Sequence, residues 1–150
     1  MTESLQGLWN PTKTNPIKRE YKKWFSPYLN REMELLIFGE GGSPVILFPT
    51  RTARFYDYED WGVIEAMEEK ISSGKIQVYC VDSIDHESFY CKNITPSDRI
   101  GRHLQFEKYL LYELLPFIRG QNNHPDIVSA GCSLGAYHAV NLAFRHPALF

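Results

Sequence analysis

Short apolar runs alternate with helical patterns over most of the chain. Residues 45–48 and 76–81 have the length and composition of strands that are buried on both faces, and residues 126–130 predict a third. A helical pattern follows each of these strands. Strands that alternate with helices predict an α/β fold, here a mostly parallel sheet with right-handed crossovers and helices on both faces.

Three helices are expected, and their ends carry recognisable signals. The first covers the apolar repeat from Trp61 to Ile71, and the second begins after Thr95, whose hydroxyl can cap it. The third spans residues 135–146 and is stopped by Pro147. The apolar stripe predicted for the second helix consists of Ile100, Leu104, Leu111, Leu114 or Leu115, and Ile118.

The segment before the first buried strand predicts a β-hairpin. Residues 19–28 and 32–38 are rich in aromatic and aliphatic side chains, and Asn30-Arg31 between them can form a tight turn. Residues 1–17 contain two Asn-Pro pairs and predict an irregular lead-in. We therefore expect one α/β domain over residues 18–150.

Composition and charge exclude several classes of protein. The 150 residues include 16 Lys and Arg and 18 Asp and Glu, which gives a net charge of −2 and no electrostatic basis for binding nucleic acid. No apolar run approaches the ~18 residues of a membrane span, and no secretory signal precedes the domain. Three cysteines do not form a disulfide framework. These features predict a cytoplasmic protein without membrane partners, and they leave its oligomeric state open.

The strongest motif is the Gly-Cys-Ser-Leu-Gly segment at residues 131–135. It matches G-x-S-x-G between a predicted strand and a predicted helix, which is the context of a nucleophile elbow. The turn is so tight that the residues two before and two after the serine must be small. Ser133 is thus the candidate nucleophile, and the Leu134 amide at the helix N-terminus is a candidate oxyanion donor.

Loops at the carboxyl ends of the other strands supply further candidates. The loop after Phe48 should provide a second oxyanion donor from Arg51, Thr52 or Ala53. Arg51 and Arg54 are pocket candidates, either as cations that face the substrate or as side chains that face only solvent. Asp82, as a hydrogen-bonding strut, and His86 are pocket candidates in the loop after the next strand. The acids of residues 82–90 match no known metal-ligand spacing, so neither a metal nor a cofactor is expected.

A serine nucleophile needs a histidine base and an acid, which follow the serine in hydrolases of this kind. His138 lies too close on the same helix to reach back, and His146 lies about 20 Å further down it. His86 and His103 are weak candidates. The base and acid are therefore expected beyond residue 150, and the strand at 126–130, which should be central, would lie open on one side. Cys132 is expected to be a buried thiol rather than the nucleophile.

Four stretches resemble an esterase family of the α/β-hydrolase superfamily that includes esterase D (S-formylglutathione hydrolase) and the mycobacterial mycolyltransferases. They are residues 131–147, which are the most specific, and residues 19–24, 48–51 and 81–85. The resemblance implies an α/β-hydrolase fold, a Ser–His–acid triad with Ser133 as nucleophile, and oxyanion donors at Leu134 and Thr52. The sequence departs from the family at residues 51–53, where a more glycine-rich pattern is expected, and it matches only the N-terminal portion.

The expected function is hydrolysis of a small carboxylic ester or thioester through an acyl-enzyme on Ser133. Two alternatives use the same residues. One is a non-catalytic hydrolase-fold binding or scaffold protein, and the other is an acyltransferase that passes the acyl group to an alcohol. The sequence does not separate hydrolysis from transfer, since that choice depends on the exclusion of water.

Overall fold

A five-stranded sheet forms the centre of the computed structural model, which describes residues 16–150. The strands are β1 (Arg19–Ser26), β2 (Arg31–Phe38), β3 (Ser43–Phe48), β4 (Ile76–Val81) and β5 (Val128–Gly131). Their order across the sheet is β1-β2-β4-β3-β5. The predicted hairpin is confirmed, because β1 pairs antiparallel with β2 and Asn30 adopts a positive φ of 51° in the turn.

The sheet is mixed, where the sequence predicts a mostly parallel one. Strand β3 is parallel to β4 and to β5, whereas β2 is antiparallel to both β1 and β4. The cause is the glycine-rich segment at residues 39–42, which reverses the chain so that β3 runs opposite to β2. Strand β4 lies between them and follows the direction of β3, so it opposes β2.

Helices cover both faces of the sheet, as predicted. They are α1 (Asp57–Asp60), α2 (Val63–Ala66), α3 (Glu68–Ser72), α4 (Pro96–Tyr109), α5 (Leu115–Gln121) and α6 (Leu134–Arg145), with a π-helical turn at Leu110–Leu114. Helices α1–α3 pack on the face that contains Leu36 and Leu47, and α4–α6 pack on the face that contains Leu35 and Ile46. This alternation of buried side chains is the period of two that strands impose.

Two details of the predicted helices are wrong. The helix expected from Trp61 to Ile71 begins only at Val63, because Gly62 has a φ of 74°, which is outside the range of a right-handed helix. It is then divided into α2 and α3 at Met67, whose φ of −97° and ψ of 1° depart from helical values. In α4, the predicted stripe residues Ile100 and Leu104 are exposed. The buried residues of α4 are His103, Phe106, Glu107 and Tyr109, so the helix is rotated relative to the expected stripe. The cap is confirmed, since the Thr95 hydroxyl accepts the Asp98 amide.

His103 is a buried histidine whose protonation should destabilise the fold. Its ring lies 4.6 Å from the Phe89 ring and 5.5 Å from that of His138, and burial lowers its pKa from 6.5 to about 4. The unfolded chain therefore binds more protons than the folded protein between pH 6.5 and 4, and stability falls as pH drops through that window.

We expect His103→Phe, which keeps an aromatic ring in this cluster, to remove part of that acid sensitivity. The variant should recover on the order of 2–3 kcal/mol of the stability that the wild type loses near pH 4, because its ring never takes up a proton. Urea unfolding at pH 4.5 and 7.5 measures the difference, and the comparison at pH 7.5 isolates any packing effect of the substitution. An unchanged difference in stability between the two pH values would contradict a neutral buried His103.

Candidate active site

Ser133 lies in a sharp turn between β5 and α6. Its φ of 54° and ψ of −121° are unfavourable for any residue except glycine. The residue is exposed and lies immediately before the first residue of α6. Backbone strain of this kind persists only where the surrounding structure enforces it, and it is concentrated at functional sites. The strand–turn–helix context predicted for the motif is confirmed.

The two flanking glycines show why the turn needs small residues. A Cβ atom on Gly135 would lie 2.2 Å from the carbonyl oxygen of Phe48 and 2.6 Å from that of Pro49. A Cβ atom on Gly131 would lie 2.5 Å from the carbonyl carbon of Gly135. The elbow therefore lies directly against the backbone at the carboxyl end of β3, where the candidate oxyanion loop begins.

Tyr58 ties the elbow to the end of β3. Its buried hydroxyl donates to the Phe48 carbonyl at 2.8 Å and accepts the Cys132 amide at 2.9 Å. Burial raises the pKa of Tyr58 to about 12, so the phenol keeps its proton and can donate and accept at once. No local sequence pattern points to Tyr58, because its role depends on a contact with a residue 74 positions away in the chain.

Two backbone amides of the described chain are free to bind an oxyanion. The Leu134 amide is at the first position of α6 and has no partner within the helix. In the loop after β3, the Thr52 amide donates to Asp85 at 3.1 Å and the Ala53 amide to the Thr50 carbonyl at 3.1 Å. Of the three predicted candidates in that loop, only the Arg51 amide has no acceptor among residues 16–150. Thr52 as donor stays a prediction, and it requires release of the Asp85 bond.

Arg54 and Asp82 form a bidentate ion pair. The Arg54 Nε lies 2.8 Å from Asp82 Oδ1 and its Nη2 lies 3.1 Å from Oδ2, with Glu34 at 3.1 Å from the same Nη2. Burial raises the pKa of the Asp82 carboxyl, and the guanidinium opposes that shift. The pair agrees with a strut role for Asp82. The Arg54 guanidinium is bound to carboxylates of the protein itself and is therefore not free to bind a substrate anion.

Arg51 and His86 have different surroundings. The Arg51 guanidinium lies 5.0 Å from the centre of the Tyr90 ring, and it has no carboxylate partner among the described residues. His86 is exposed in the loop after β4. Both lie in loops that follow neighbouring strands, as predicted, and their contact with a substrate stays a prediction.

None of the histidines described contacts the Ser133 hydroxyl. His103 on α4 and His138 on α6 are buried, and His146 pairs with Glu107 at 3.0 Å. His124 contacts Ser43 at the opposite end of β3. Within residues 16–150 the site thus contains a candidate nucleophile and candidate oxyanion donors, and the base and acid of a triad stay a prediction.

The family model described as "Putative esterase" matches residues 26–150. The chain belongs to this esterase family. A search of curated proteins finds no match to the chain.

Solved structures of several other proteins share the fold of this chain. An S-formylglutathione hydrolase from Staphylococcus aureus superposes with a TM-score of 0.68 at 14% identity, over 91% of this chain and 55% of that protein. The S-formylglutathione hydrolase from Agrobacterium tumefaciens gives 0.69 at 18% identity, over 89% and 55%. MPT51 of Mycobacterium tuberculosis gives 0.63 at 23% identity, over 87% and 48%.

These likenesses confirm the α/β-hydrolase fold and the family resemblance. The chain spans about half the length of the solved structures that it matches. No helix within residues 16–150 is long and apolar enough to cross a membrane, and no metal-binding group of three or more His, Cys, Asp or Glu residues occurs in that range.

The expectation of a buried Cys132 thiol is wrong, because the residue is exposed. The cause is the position of β5, which pairs with β3 on one side and with no other described strand. The side chain at this position of the elbow therefore has no neighbouring layer to cover it. Ser133 and Cys132 are both accessible, so their roles need to be separated by experiment.

Proposed function

We propose that this esterase-family chain contributes the nucleophile of a serine hydrolase that cleaves a small carboxylic ester or thioester. The observation that carries the proposal is the conformation of Ser133, whose backbone is strained and whose residue is exposed. It is held at the N-terminus of α6 by a turn in which Gly131 and Gly135 have no room for a side chain. A structural serine in a turn has no need of this conformation. The esterase names of the family and of the solved structures support the same class of reaction.

The reaction proceeds through an acyl-enzyme. The Ser133 Oγ attacks the carbonyl carbon of the substrate, and the carbonyl oxygen becomes an oxyanion that accepts hydrogen bonds from the Leu134 amide and from the free Arg51 amide of the loop after β3. The alcohol or thiol then leaves, and water hydrolyses the acyl-serine. A histidine base takes the serine proton and returns it to the leaving group, and we place this base and its acid in the chain beyond residue 150.

The loops at this end of the sheet shape the substrate pocket. The Arg51 guanidinium, stacked on Tyr90, is the cation available to a substrate, whereas that of Arg54 is held by Asp82 and Glu34. We therefore assign Arg51 to the pocket and Arg54 to its support. His86 is exposed at the rim of the same loop region.

Labelling with a fluorophosphonate tests the nucleophile. The protein translated from the whole reading frame should be labelled at Ser133. Ser133→Ala should abolish both labelling and hydrolysis of p-nitrophenyl acetate, because no other serine among residues 16–150 has a positive φ in a strand–turn–helix elbow. Cys132→Ala is the matched control, since it changes the exposed neighbour and should retain labelling.

The alternatives predict different results. Labelling that survives Ser133→Ala would overturn Ser133 as the nucleophile. An unlabelled, folded wild type would favour the scaffold function instead. Transfer of the acyl group to added alcohol, in preference to water, would identify an acyltransferase with the same nucleophile.

A further inference from the structure

The carboxylate of Asp85 connects the two halves of the candidate active site. Its Oδ2 accepts the Thr52 amide at 3.1 Å, and its Oδ1 lies 3.2 Å from Nε2 of His138. Thr52 belongs to the candidate oxyanion loop, and His138 is on α6, five residues after Ser133. The two side chains of the pair are only 2% and 3% exposed. Asp85 thus bridges the loop and the helix that carries the nucleophile.

The surroundings hold this bridge in one arrangement. The His138 ring packs against the rings of Phe106, at 5.6 Å, and Phe89, at 6.0 Å, so the imidazole has little freedom to turn away from Asp85. Thr52 has a φ of 56°, which is the left-handed region and costs energy for a threonine. The bond from the Thr52 amide to a fixed, buried carboxylate compensates for that cost.

We propose that Asp85 and His138 are a positioning pair that fixes the oxyanion loop against the Ser133 elbow. The inference rests on the proposed function, because it concerns the transition state of that reaction. Oxyanion donors act by being held in place before charge develops, and a displacement of about 1 Å can lower the rate by about 10²-fold. By engaging the Thr52 amide, Asp85 sets the position of the preceding residue, Arg51, whose amide is free.

Three substitutions at Asp85 and His138 leave both bonds, one bond or neither bond of the bridge. Asp85→Asn keeps a carbonyl oxygen for the Thr52 amide, and its NH₂ group can donate to His138 in the other tautomer, so kcat should stay within about threefold. His138→Phe preserves the aromatic packing and the Thr52 bond but removes the link to α6, so we expect kcat about 10-fold lower. Asp85→Ala removes both bonds and should lower kcat about 10²-fold.

The kinetic pattern separates positioning from a general loss of stability. With p-nitrophenyl acetate and the protein from the whole reading frame, KM should change less than threefold in Asp85→Ala, since the bridge acts on the transition state. Glu113→Ala is the matched control. This residue accepts bonds from Trp24 and Ser26, far from the elbow, so its loss should lower the melting temperature and leave kcat unchanged.

Amide hydrogen exchange at Thr52 gives a readout that does not depend on catalysis. The amide should be protected in the wild type and in Asp85→Asn, and it should exchange at least 10-fold faster in Asp85→Ala. A wild type that is folded but neither labelled nor hydrolytic overturns the proposed function, and Thr52 exchange then decides the bridge alone. The positioning inference is overturned by an unprotected Thr52 amide in the wild type, or by an unchanged kcat in an active Asp85→Ala variant.

Discussion

Gly135→Ala is expected to abolish phosphonate labelling of Ser133 and to destabilise the protein by about 3 kcal/mol. The new methyl group would meet two backbone carbonyl oxygens, at 2.2 and 2.6 Å, and neither can rotate away as a flexible side chain could. The elbow must therefore move from β3, which displaces the Ser133 Oγ and the Leu134 amide together. Labelling rate and urea unfolding measure the two effects.

Gly101→Ala provides the matched control. Gly101 lies within α4, and a Cβ atom added there meets no atom within 4 Å. The substitution should stabilise the protein by about 0.5–1 kcal/mol, because alanine favours helix more than glycine does. It should not alter labelling. Labelling of Gly135→Ala at the wild-type rate would show that the close approach of the elbow to β3 is not required for a reactive serine.

A polypeptide limited to residues 1–150 is expected to self-associate. Strand β5 pairs only with β3 within the described chain, so its other edge offers unpaired backbone groups. Apolar side chains lie beside that edge, with Val128 45% exposed and, on α6, Val140 51% and Phe144 82% exposed. Such a surface recruits other chains. Sedimentation velocity should show oligomers at micromolar concentration and a low, broad thermal transition.

Val128→Lys tests whether the open edge is responsible. A lysine on an exposed edge strand opposes strand pairing between chains, so the variant should shift the sedimentation profile toward monomer. Lys108→Ala, on the exposed side of α4, should leave the profile unchanged. A monomeric wild-type segment with one cooperative transition would contradict the prediction, and it would favour the scaffold function for a domain that is stable by itself.

Local sequence patterns predicted the elements well where the signal was itself local. The runs at 45–48 and 76–81 became β3 and β4, because continuous apolar residues in a short run suit a strand covered on both faces. The Thr95 cap and the 131–135 elbow were also predictable, since each depends on residues within a few positions of one another. The buried face of α4 was not predictable from local sequence. It contains His103 and Glu107, whose burial depends on partners from distant segments of the chain.

The sequence by itself predicted the candidate nucleophile, the family and the general fold of this protein. Spacing indicated the candidate nucleophile, because a serine between glycines at the start of a helix is typical of a nucleophile elbow. The family came from the resemblance of four stretches of sequence, and the fold from the alternation of apolar runs with helical patterns. Only the tertiary structure decided which polar groups are already engaged: Arg54 by Asp82, the Thr52 amide by Asp85, and Asp85 by His138. These bonds join residues 28 to 53 positions apart, and their partners are set by the crossing of strands in the sheet rather than by any local pattern.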